Sequence, residues 1–440
     1  ANLQLGSGNF TLAAWIKPAN AVPTPYGYFG GGRYPSAGNY SIVDRVDYDN
    51  DTATASPRGN LSGAQKGLGA TGNTSYGYFG GGSSPKMSTV NRVDYADDTA
   101  TAVVKGPLSY SDEGISATGN ASYGYFMGGP SLTTVSRIDY ADDTSTALTK
   151  GPLAAAKWYG AATGNSSYGY IAGNTPGSSL MDRLDYSSDT STAAAKGPLS
   201  AARYGMGAAG NASYGYFGGG RSGPSRYTTV DRLDYSSDST TCVVKGPLTS
   251  ARQYLAATGD TSYGYIAGGF TSSSYLISTI DRVDYSNDTP TAVTKGPLST
   301  GRAVTAGASP KANALSGRSD NEGIISYSDT AGEQNDTTCQ LDTNSDGKIR
   351  FTGAAGIVTS TSAVAADTWA HAAVTRTDNT ISVYVNGVLE NTGITTHTFS
   401  DYAKVTIGAN RPRSTFYKGD ISQVQIYKKA LSSDDIQQNF

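Results

Sequence analysis

Few side chains of this 440-residue chain combine in a pattern that supports enzyme chemistry. Only four glutamates occur, Glu113, Glu322, Glu333 and Glu390, and the only histidines are His371 and His397. Residues 21–309 therefore contain no imidazole for a Ser-His-Asp triad or for a copper site of the galactose-oxidase type. We predict that the protein is not an enzyme and that it requires no cofactor.

Calcium is the one metal for which the chain offers a candidate site. Asp342, Asn344 and Asp346 alternate ahead of Gly347, as in the first half of a calcium-binding loop. The glutamate expected at the twelfth position is missing, because Gly353 occupies that place. Asn-Ser-Asp-Gly also favours a tight hairpin turn. We favour the hairpin and expect calcium to be dispensable.

A third set of candidate residues is aromatic and basic. It lies in segments that differ between otherwise similar repeats, and it comprises Arg33, Tyr34, Trp158, Arg203, Arg221, Tyr227, Arg252, Phe270 and Tyr275. Tyr, Trp and Arg on loops of a rigid scaffold are typical of binding surfaces. We predict that these residues form a ligand-binding face. The alternative is that the loops vary because nothing constrains them.

The composition predicts an all-β protein. The chain contains 55 Gly and 31 Tyr and is poor in Leu, Glu, Lys and Met, which favour helices. No apolar run is long enough to span a membrane, and a net charge of -3 without a basic block argues against a nucleic-acid partner. Cys242 and Cys339 are too few for a disulfide framework or a zinc site.

Six repeats determine the predicted architecture. Tyr-Gly-Tyr segments start at Tyr26, Tyr76, Tyr123, Tyr168, Tyr214 and Tyr263, and each is followed by an Asp-Arg-Val-Asp-Tyr-like run. Each repeat predicts four short strands, which is the size of a propeller blade. The first repeat lacks an inner strand, and Gly301–Ala308 follows the last repeat as a spare one. We predict a six-bladed β-propeller that is closed by pairing of residues 301–308 with residues 26–31.

The repeats resemble those of the kelch family. The similarity rests on Gly246-Pro-Leu-Thr-Ser-Ala-Arg252, on Tyr263-Gly-Tyr-Ile-Ala-Gly-Gly269 and on Asp281-Arg-Val-Asp-Tyr285. It covers about two thirds of the chain and implies a propeller. The usual outer-strand Trp of that family is absent, and Ala or Cys242 follows the aspartate turn instead. Cys242 is therefore expected to be a small packing residue.

An arginine recurs two residues before an aspartate in every repeat. The pairs begin with Arg45 and Asp47 and recur at Arg92, Arg137, Arg183, Arg232 and Arg282. Residues i and i+2 share a face of a strand. Because the feature is copied into every blade, we interpret it as ion pairing between blades rather than as a site.

Residues 310–440 predict a β-sandwich of several strands separated by turns. Thr368-Trp-Ala-His371, Tyr384-Val-Asn-Gly387 and Gly419-Asp-Ile-Ser-Gln-Val424 resemble the laminin-G-like, concanavalin-A-like jelly rolls. That family implies an early strand at residues 10–18. We predict that residues 1–20 begin the jelly roll, that residues 21–309 form the inserted propeller, and that residues 310–440 complete the jelly roll. We also expect chain upstream of Ala1, because the first strand of the family is largely absent.

The near-identical blades resemble repeats in structural proteins of marine bacteriophages. This resemblance implies a non-enzymatic virion surface or fibre protein that binds host-surface glycans or another virion protein. We expect a homo-oligomer, such as a trimer, because weak sites gain from multivalency. One alternative is a secreted adhesin or filament subunit at the bacterial cell surface. The other is a sialidase-like glycoside hydrolase, which would require an arginine cluster and a tyrosine nucleophile beside a carboxylate.

Overall fold

A computed structural model describes residues 9–18, 25–34, 38–83, 85–271, 275–309, 322–328, 339–344, 347–353, 356–364, 368–394, 404–407, 417 and 419–438. The chain divides into two compact units, one of residues 24–315 and one of residues 1–23 together with 316–440. The all-β prediction is confirmed. The described residues contain one α-helix, Ser433–Gln438, and two 3₁₀ turns, Tyr186–Ser188 and Tyr235–Ser237. No helix in this part of the chain is long and apolar enough to cross a membrane.

The unit of residues 24–315 contains six four-stranded antiparallel sheets, which we number 1 to 6 by the order of their Tyr-Gly-Tyr strands. In sheet order, the inner strands are Ala306–Ala308, Gly69–Gly72, Ser116–Gly119, Ala161–Gly164, Gly207–Gly210 and Ala256–Gly259. The second strands are Tyr26–Gly30, Tyr76–Gly80, Tyr123–Met127, Tyr168–Ala172, Tyr214–Gly218 and Tyr263–Ala267. The third strands are Val43–Asp47, Val90–Asp94, Val135–Asp139, Met181–Asp185, Val230–Asp234 and Ile280–Asp284. The outer strands are Ser56–Pro57, Val103–Lys105, Leu148–Lys150, Ala194–Lys196, Val243–Lys245 and Val293–Lys295.

Two small hairpins follow second strands. Arg33–Tyr34 pairs with Gly38–Asn39 after sheet 1's second strand, and Arg221–Ser222 pairs with Ser225–Arg226 after that of sheet 5.

Each residue of the Tyr-Gly-Tyr motif has a different environment, as sheet 2 illustrates. Tyr78 is buried, whereas Tyr76 is partly exposed and carries the Arg92 guanidinium 4.2 Å from its ring centroid. A Cβ atom on Gly77 would come within 2.8 Å of the Tyr95 hydroxyl. Glycine is therefore required so that the Tyr95 ring can lie against the strand.

Sheet 1 is assembled from the two ends of the repeat region. Tyr28 pairs with Ala308, Phe29 with Gly307 and Gly30 with Ala306, so the strand that follows the last repeat completes the first sheet. The predicted pairing of residues 301–308 with residues 26–31 is confirmed for Ala306–Ala308 with Tyr28–Gly30, whereas Ala303 forms a bridge to Arg33.

The inner strands contact one another in cyclic order, from sheet 1 through sheet 6 and back to sheet 1. Just before each inner strand, one residue has a left-handed backbone, with φ between 52° and 69°. Its amide donates to the carbonyl oxygen of the equivalent residue in the neighbouring sheet, over 2.6 to 3.0 Å. The six residues are Gly67, Gly114, Tyr159, Gly205, Tyr254 and Val304. The six hydrogen bonds form an unbroken ring, which we call the axial ring.

Neighbouring sheets are also joined by ionic clamps. Asp143 of sheet 3 accepts hydrogen bonds from Tyr78 (2.9 Å) and Arg92 (2.8 Å) of sheet 2, and Lys105 Nζ of sheet 2 lies 2.9 Å from its other oxygen. Equivalent acceptors are Asp98, Asp189, Asp238, Asp288 and Asp51, and Arg58 takes the place of the lysine at Asp98.

The repeated arginines therefore bridge neighbouring sheets, but their partner differs from the expected one. Arg45 pairs with Asp98, and Asp47 instead accepts the amide of Asp49 within its own turn. In sheet 2, for example, Asp94 ends the third strand and accepts the amide of Ala96 in the turn, whereas the later Asp98 reaches across to the neighbouring sheet.

The second unit is a sandwich of two five-stranded antiparallel sheets. One has the order Val388–Ile394, Thr380–Val385, Ala370–Thr377, Phe10–Pro18 and Gly419–Tyr427. The other has the order Gly356–Ala363, Lys348–Gly353, Cys339–Thr343, Glu322–Ser328 and Lys404–Ile407. Phe10, Leu12, Ala14 and Ile16 alternate into the core of this unit. This period of two residues places one face of the Phe10–Pro18 strand in the interior.

Candidate functional site

Tyrosine replaces glycine at two positions of the axial ring. Three of its six left-handed residues are Gly, which adopts this conformation without strain, whereas a side chain costs roughly 1–2 kcal/mol there. Tyr159 (φ 52°), Tyr254 (φ 58°) and Val304 (φ 60°) adopt this conformation with a side chain, and of these three only the tyrosines are partly exposed. Strained backbone of this kind clusters at functional sites. The two rings meet edge to face, with centroids 4.9 Å apart.

Three further aromatic rings extend this pair. The ring of Trp158 stacks on Tyr159 at 5.3 Å, while Tyr204 and Phe270 contact Tyr254 at 6.0 and 6.2 Å. Tyr204 and Phe270 are buried, and the other three rings are partly exposed. We call these five residues the axial aromatic cluster. They lie at one end of the sheets, where inner strands begin and second strands end.

Two arginines border the cluster. The Arg33 guanidinium carbon lies 5.9 Å from the Phe270 ring centroid, and that of Arg221 lies 5.6 Å from the Tyr204 ring centroid. Arg221 also donates to the carbonyl oxygen of Gly223. Among the described residues, neither arginine forms an ion pair with a carboxylate.

The acidic side chains lie on the other side of the cluster, and each has a basic partner. Glu113 accepts the Ser83 hydroxyl and lies 3.7 Å from Lys66 Nζ. Lys86 Nζ lies 2.7 Å from Asp112. Burial, together with the charge of Glu113, raises the pKa of the Tyr159 phenol well above its ordinary value. Tyr159 is therefore a neutral ring at physiological pH, suited to stacking and hydrogen bonding.

Four of the nine residues predicted for the binding face lie in or beside the cluster, and three more, Tyr34, Tyr227 and Tyr275, lie on segments that follow second strands at the same end of the sheets. Trp158 and Phe270 belong to the cluster, Arg33 and Arg221 border it, and Tyr227 is partly exposed. Tyr34 and Tyr275 extend into solvent on loops, with 41% and 64% of their surface exposed.

Arg203 and Arg252 are corrections to that prediction, because both are 0% exposed. The Arg203 guanidinium pairs with Asp231 and donates to the carbonyl oxygens of Gly219 and Thr229. Arg252 pairs with Asp281 at 2.7 Å and donates to two carbonyl oxygens in the same way. Each guanidinium group is neutralised and hydrogen-bonded within its own sheet, so neither side chain is available to a ligand.

The residue at the position of these arginines and its partner on the third strand vary together from sheet to sheet. Arg302 pairs with Asp44 and Lys157 with Asp182. Where the inner position holds Gln65 or Asp112 instead, the third strand carries Asn91 or Ser136 at the place of the aspartate. This complementarity identifies the position as structural. Sequence reasoning had overlooked it.

Of the predicted calcium residues, Asp342 lies in the Cys339–Thr343 strand, which pairs antiparallel with Lys348–Gly353, and Asn344 directly follows that strand. Asp342 is buried and accepts hydrogen bonds from Arg350 (2.7 Å), Gln340 (2.6 Å) and Thr352 (3.1 Å), so its carboxylate is not free for a metal. Asn344 accepts the amide of Lys348 through its side chain and that of Gly347 through its carbonyl oxygen. Asp346 lies outside the described residues. Within the described ranges, no group of three or more metal-ligating residues occurs.

Cys242 packs as expected for a small side chain. It is buried beside Leu199 and Leu233, and this burial raises the pKa of its thiol to about 12. The thiol is thus protonated and unreactive at physiological pH.

Comparison with known proteins finds one matching family model and a similar solved structure. Residues 286–437 match the concanavalin A-like lectin/glucanases superfamily, in its laminin-G group. The solved structure of YjhT has a TM-score of 0.52 with this chain at 12% identity, and the alignment covers 64% of this chain and 98% of YjhT. No curated protein matches. The laminin-G-like, concanavalin-A-like character predicted for the C-terminal region is confirmed.

Proposed function

We propose that this protein is a non-enzymatic carbohydrate-binding protein whose ligand contacts the axial aromatic cluster. The observation that carries the proposal is the presence of Tyr159 and Tyr254, both partly exposed, on strained backbone where three of the four other equivalent positions hold glycine and the fourth holds the buried Val304. Side chains that are maintained at such a cost are expected to have a use beyond packing. Flat aromatic rings stack on the apolar faces of sugar rings at little cost in conformational entropy.

We further propose that the six sheets form a six-bladed, kelch-like propeller inserted in the jelly roll. The cyclic contacts of the inner strands and the axial ring support this arrangement. The similarity to YjhT, which extends over almost all of that chain, supports a shared fold. In such a scaffold the variable loops and the cluster share one face, where a ligand can reach several blades together.

Sugar binding by the cluster is tested with a glycan array and with aromatic replacements. Trp158→Ala and Tyr275→Ala should each weaken binding at least tenfold without lowering the melting temperature by more than a few degrees, because both side chains are partly or largely exposed. Trp369→Ala is the matched control, since Trp369 is an exposed aromatic residue of the sandwich unit.

If Trp369→Ala abolishes glycan binding and Trp158→Ala and Tyr275→Ala do not, the sandwich unit binds the glycan and the six-sheet unit does not.

A glycoside hydrolase is the second candidate, because Glu113 acts electrostatically on Tyr159 as a carboxylate beside a tyrosine nucleophile would. Two observations favour binding alone. The pKa of Tyr159 is raised rather than lowered, and Arg203, Arg252 and Arg302 are buried against aspartates. Hydrolysis of a sialoside or another glycan, abolished by both Tyr159→Phe and Glu113→Gln, would establish the enzyme instead.

The biological setting that we propose is the surface of a bacteriophage virion, with host glycans or another virion protein as partner. The near-identical repeats, which resemble those of marine phage structural proteins, support this assignment. Homo-oligomers, such as trimers, would present several weak sites together. A secreted bacterial adhesin is the alternative. Mass spectrometry of purified virions distinguishes the two, because only a virion protein is recovered in stoichiometric amounts with the major structural proteins.

A further inference from the structure

The arginines that border the axial aromatic cluster are arranged around one tyrosine. Arg33 follows the second strand of sheet 1, Arg221 follows that of sheet 5, and Tyr254 begins sheet 6 between them. Arg33 lies over Phe270 and Arg221 lies over Tyr204. Both of these rings contact Tyr254. The two guanidinium groups thus approach Tyr254 from sheet 1 and sheet 5, which lie on either side of sheet 6.

The electrostatics of Tyr254 agree with this geometry. Burial raises its pKa to about 12, although the charges of Arg221 and Arg33 both act to lower it. Two cations therefore lie within electrostatic reach of one partly exposed phenol.

This part of the face differs from the rest in having basic groups without acidic partners. Lys66 and Lys86 each face a carboxylate, and the buried arginines each pair with an aspartate. Among the described residues, Arg33 and Arg221 have no such partner, and Arg226 lies directly opposite Arg221 in its hairpin.

We propose that the ligand of the axial aromatic cluster is an acidic sugar whose anionic group binds between Arg33 and Arg221, above Tyr254. This inference rests on the proposed carbohydrate-binding function and adds the ligand class. The contact with an aromatic ring restricts each guanidinium group, and N–H groups that do not bond the Gly223 carbonyl can donate to oxygens of a carboxylate or a sulfate ester. Trp158 and Tyr159 hold the adjoining sugar ring.

Three oligosaccharide probes of equal length test the inference by calorimetry. One contains uronic acids, one carries sulfate esters, and one is neutral. We expect the wild-type protein to bind at least one acidic probe tenfold or more tightly than the neutral probe, and the preferred acidic probe identifies carboxylate or sulfate as the recognised group.

Three variants separate specific recognition from overall charge. Arg33→Gln and Arg221→Gln should each weaken binding of the acidic probe at least tenfold and change binding of the neutral probe by less than twofold. Arg226→Gln is the matched control, because it removes the same charge from the same hairpin. It should change binding of the acidic probe by less than threefold.

The outcomes separate this inference from the function on which it rests. Equal binding of neutral and acidic probes, or an equal loss in Arg226→Gln, overturns the acidic-sugar site and leaves carbohydrate binding intact. Binding of none of the three probes overturns both proposals.

Discussion

The phenolic hydroxyl of Tyr78 donates to the carboxylate of Asp143, a residue 65 positions later and in the neighbouring sheet. The same carboxylate receives Arg92 and Lys105, so one side chain satisfies three donors from another sheet. This arrangement recurs from sheet to sheet. Neighbouring sheets are therefore joined by ionic contacts at these aspartates and by backbone hydrogen bonds at the axial ring. Clamps of this kind fix the angle between neighbours as well as their distance.

Replacement of Asp143 should destabilise the six-sheet unit. Asp143→Asn leaves Arg92 and Lys105 without a carboxylate, and we expect a loss of about 2–4 kcal/mol in the free energy of unfolding, measured in urea. Asp142→Asn is the matched control, because Asp142 is exposed and only caps its own turn. It should cost less than about 1 kcal/mol. An equal effect of the two replacements would show that the clamp contributes little.

The clamps should also make this unit sensitive to acid. Burial alone would raise the pKa of Asp143, but Lys105, Tyr78 and Arg92 outweigh burial and hold it below the ordinary value. A lowered carboxyl pKa contributes stability above the unfolded-state pKa of about 4, and this contribution is lost as the pH falls through the folded-state pKa. We therefore expect unfolding free energy to fall steeply below pH 4. The fall should be shallower in Asp143→Asn, and an unchanged slope would contradict the assignment.

Asp342 of the sandwich unit should have the opposite pH dependence. Its burial raises the pKa to about 6 despite the neighbouring Arg350. A raised carboxyl pKa contributes stability that is fully present below about pH 4 and is lost as the pH rises through 6. This loss should reach roughly 3 kcal/mol between pH 4 and 7 and should be absent in Asp342→Asn. Urea titrations across that range measure it, and identical slopes for both proteins would refute the prediction.

Gly114 should be needed for the position of the Trp158 indole. A Cβ atom at Gly114 would lie 2.6 Å from Trp158 Cδ1, whereas at Gly67 the nearest atom is a backbone nitrogen at 3.0 Å. Both glycines have left-handed backbones, so Gly114→Ala and Gly67→Ala should each cost about 1 kcal/mol. Only Gly114→Ala should displace the indole, shift its fluorescence emission and weaken glycan binding. Identical spectra for the two variants would contradict this placement.

Much of the fold could be predicted because comparison of the repeats shows which segment of each repeat forms which strand. The missing inner strand before Tyr26 and the spare strand after the last repeat implied the pairing that Tyr28 and Ala308 make. Side-chain exposure was harder to predict, since Arg203 is an arginine at a loop-like position whether it faces solvent or Asp231. A comparison of all six repeats contained this information, because a basic residue at the position of Arg203, before the inner strand, occurs only where the third strand carries the partner aspartate.

The site was only partly predictable for a related reason. Tyr159 and Tyr254 look like ordinary loop aromatics until they are aligned with Gly67, Gly114 and Gly205. The alignment shows that a bulky residue occupies a position where the backbone favours glycine. Within the described part of the chain, Arg33 and Arg221 lack a carboxylate partner, and this depends on contacts between sheets that no local pattern of residues indicates.

The pairing of Tyr28 with Ala308 has a consequence for biosynthesis. The ribosome delivers residues 26–30 early, but their partner strand emerges only after all the other sheets have been made. Until then the strand of sheet 1 has an unsatisfied edge that can pair with another nascent chain. The Phe10–Pro18 strand waits longer still for Ala370–Thr377 and Gly419–Tyr427. Both units therefore complete their folding late, and premature termination upstream of residue 301 would release a product that is prone to aggregate rather than a smaller working protein.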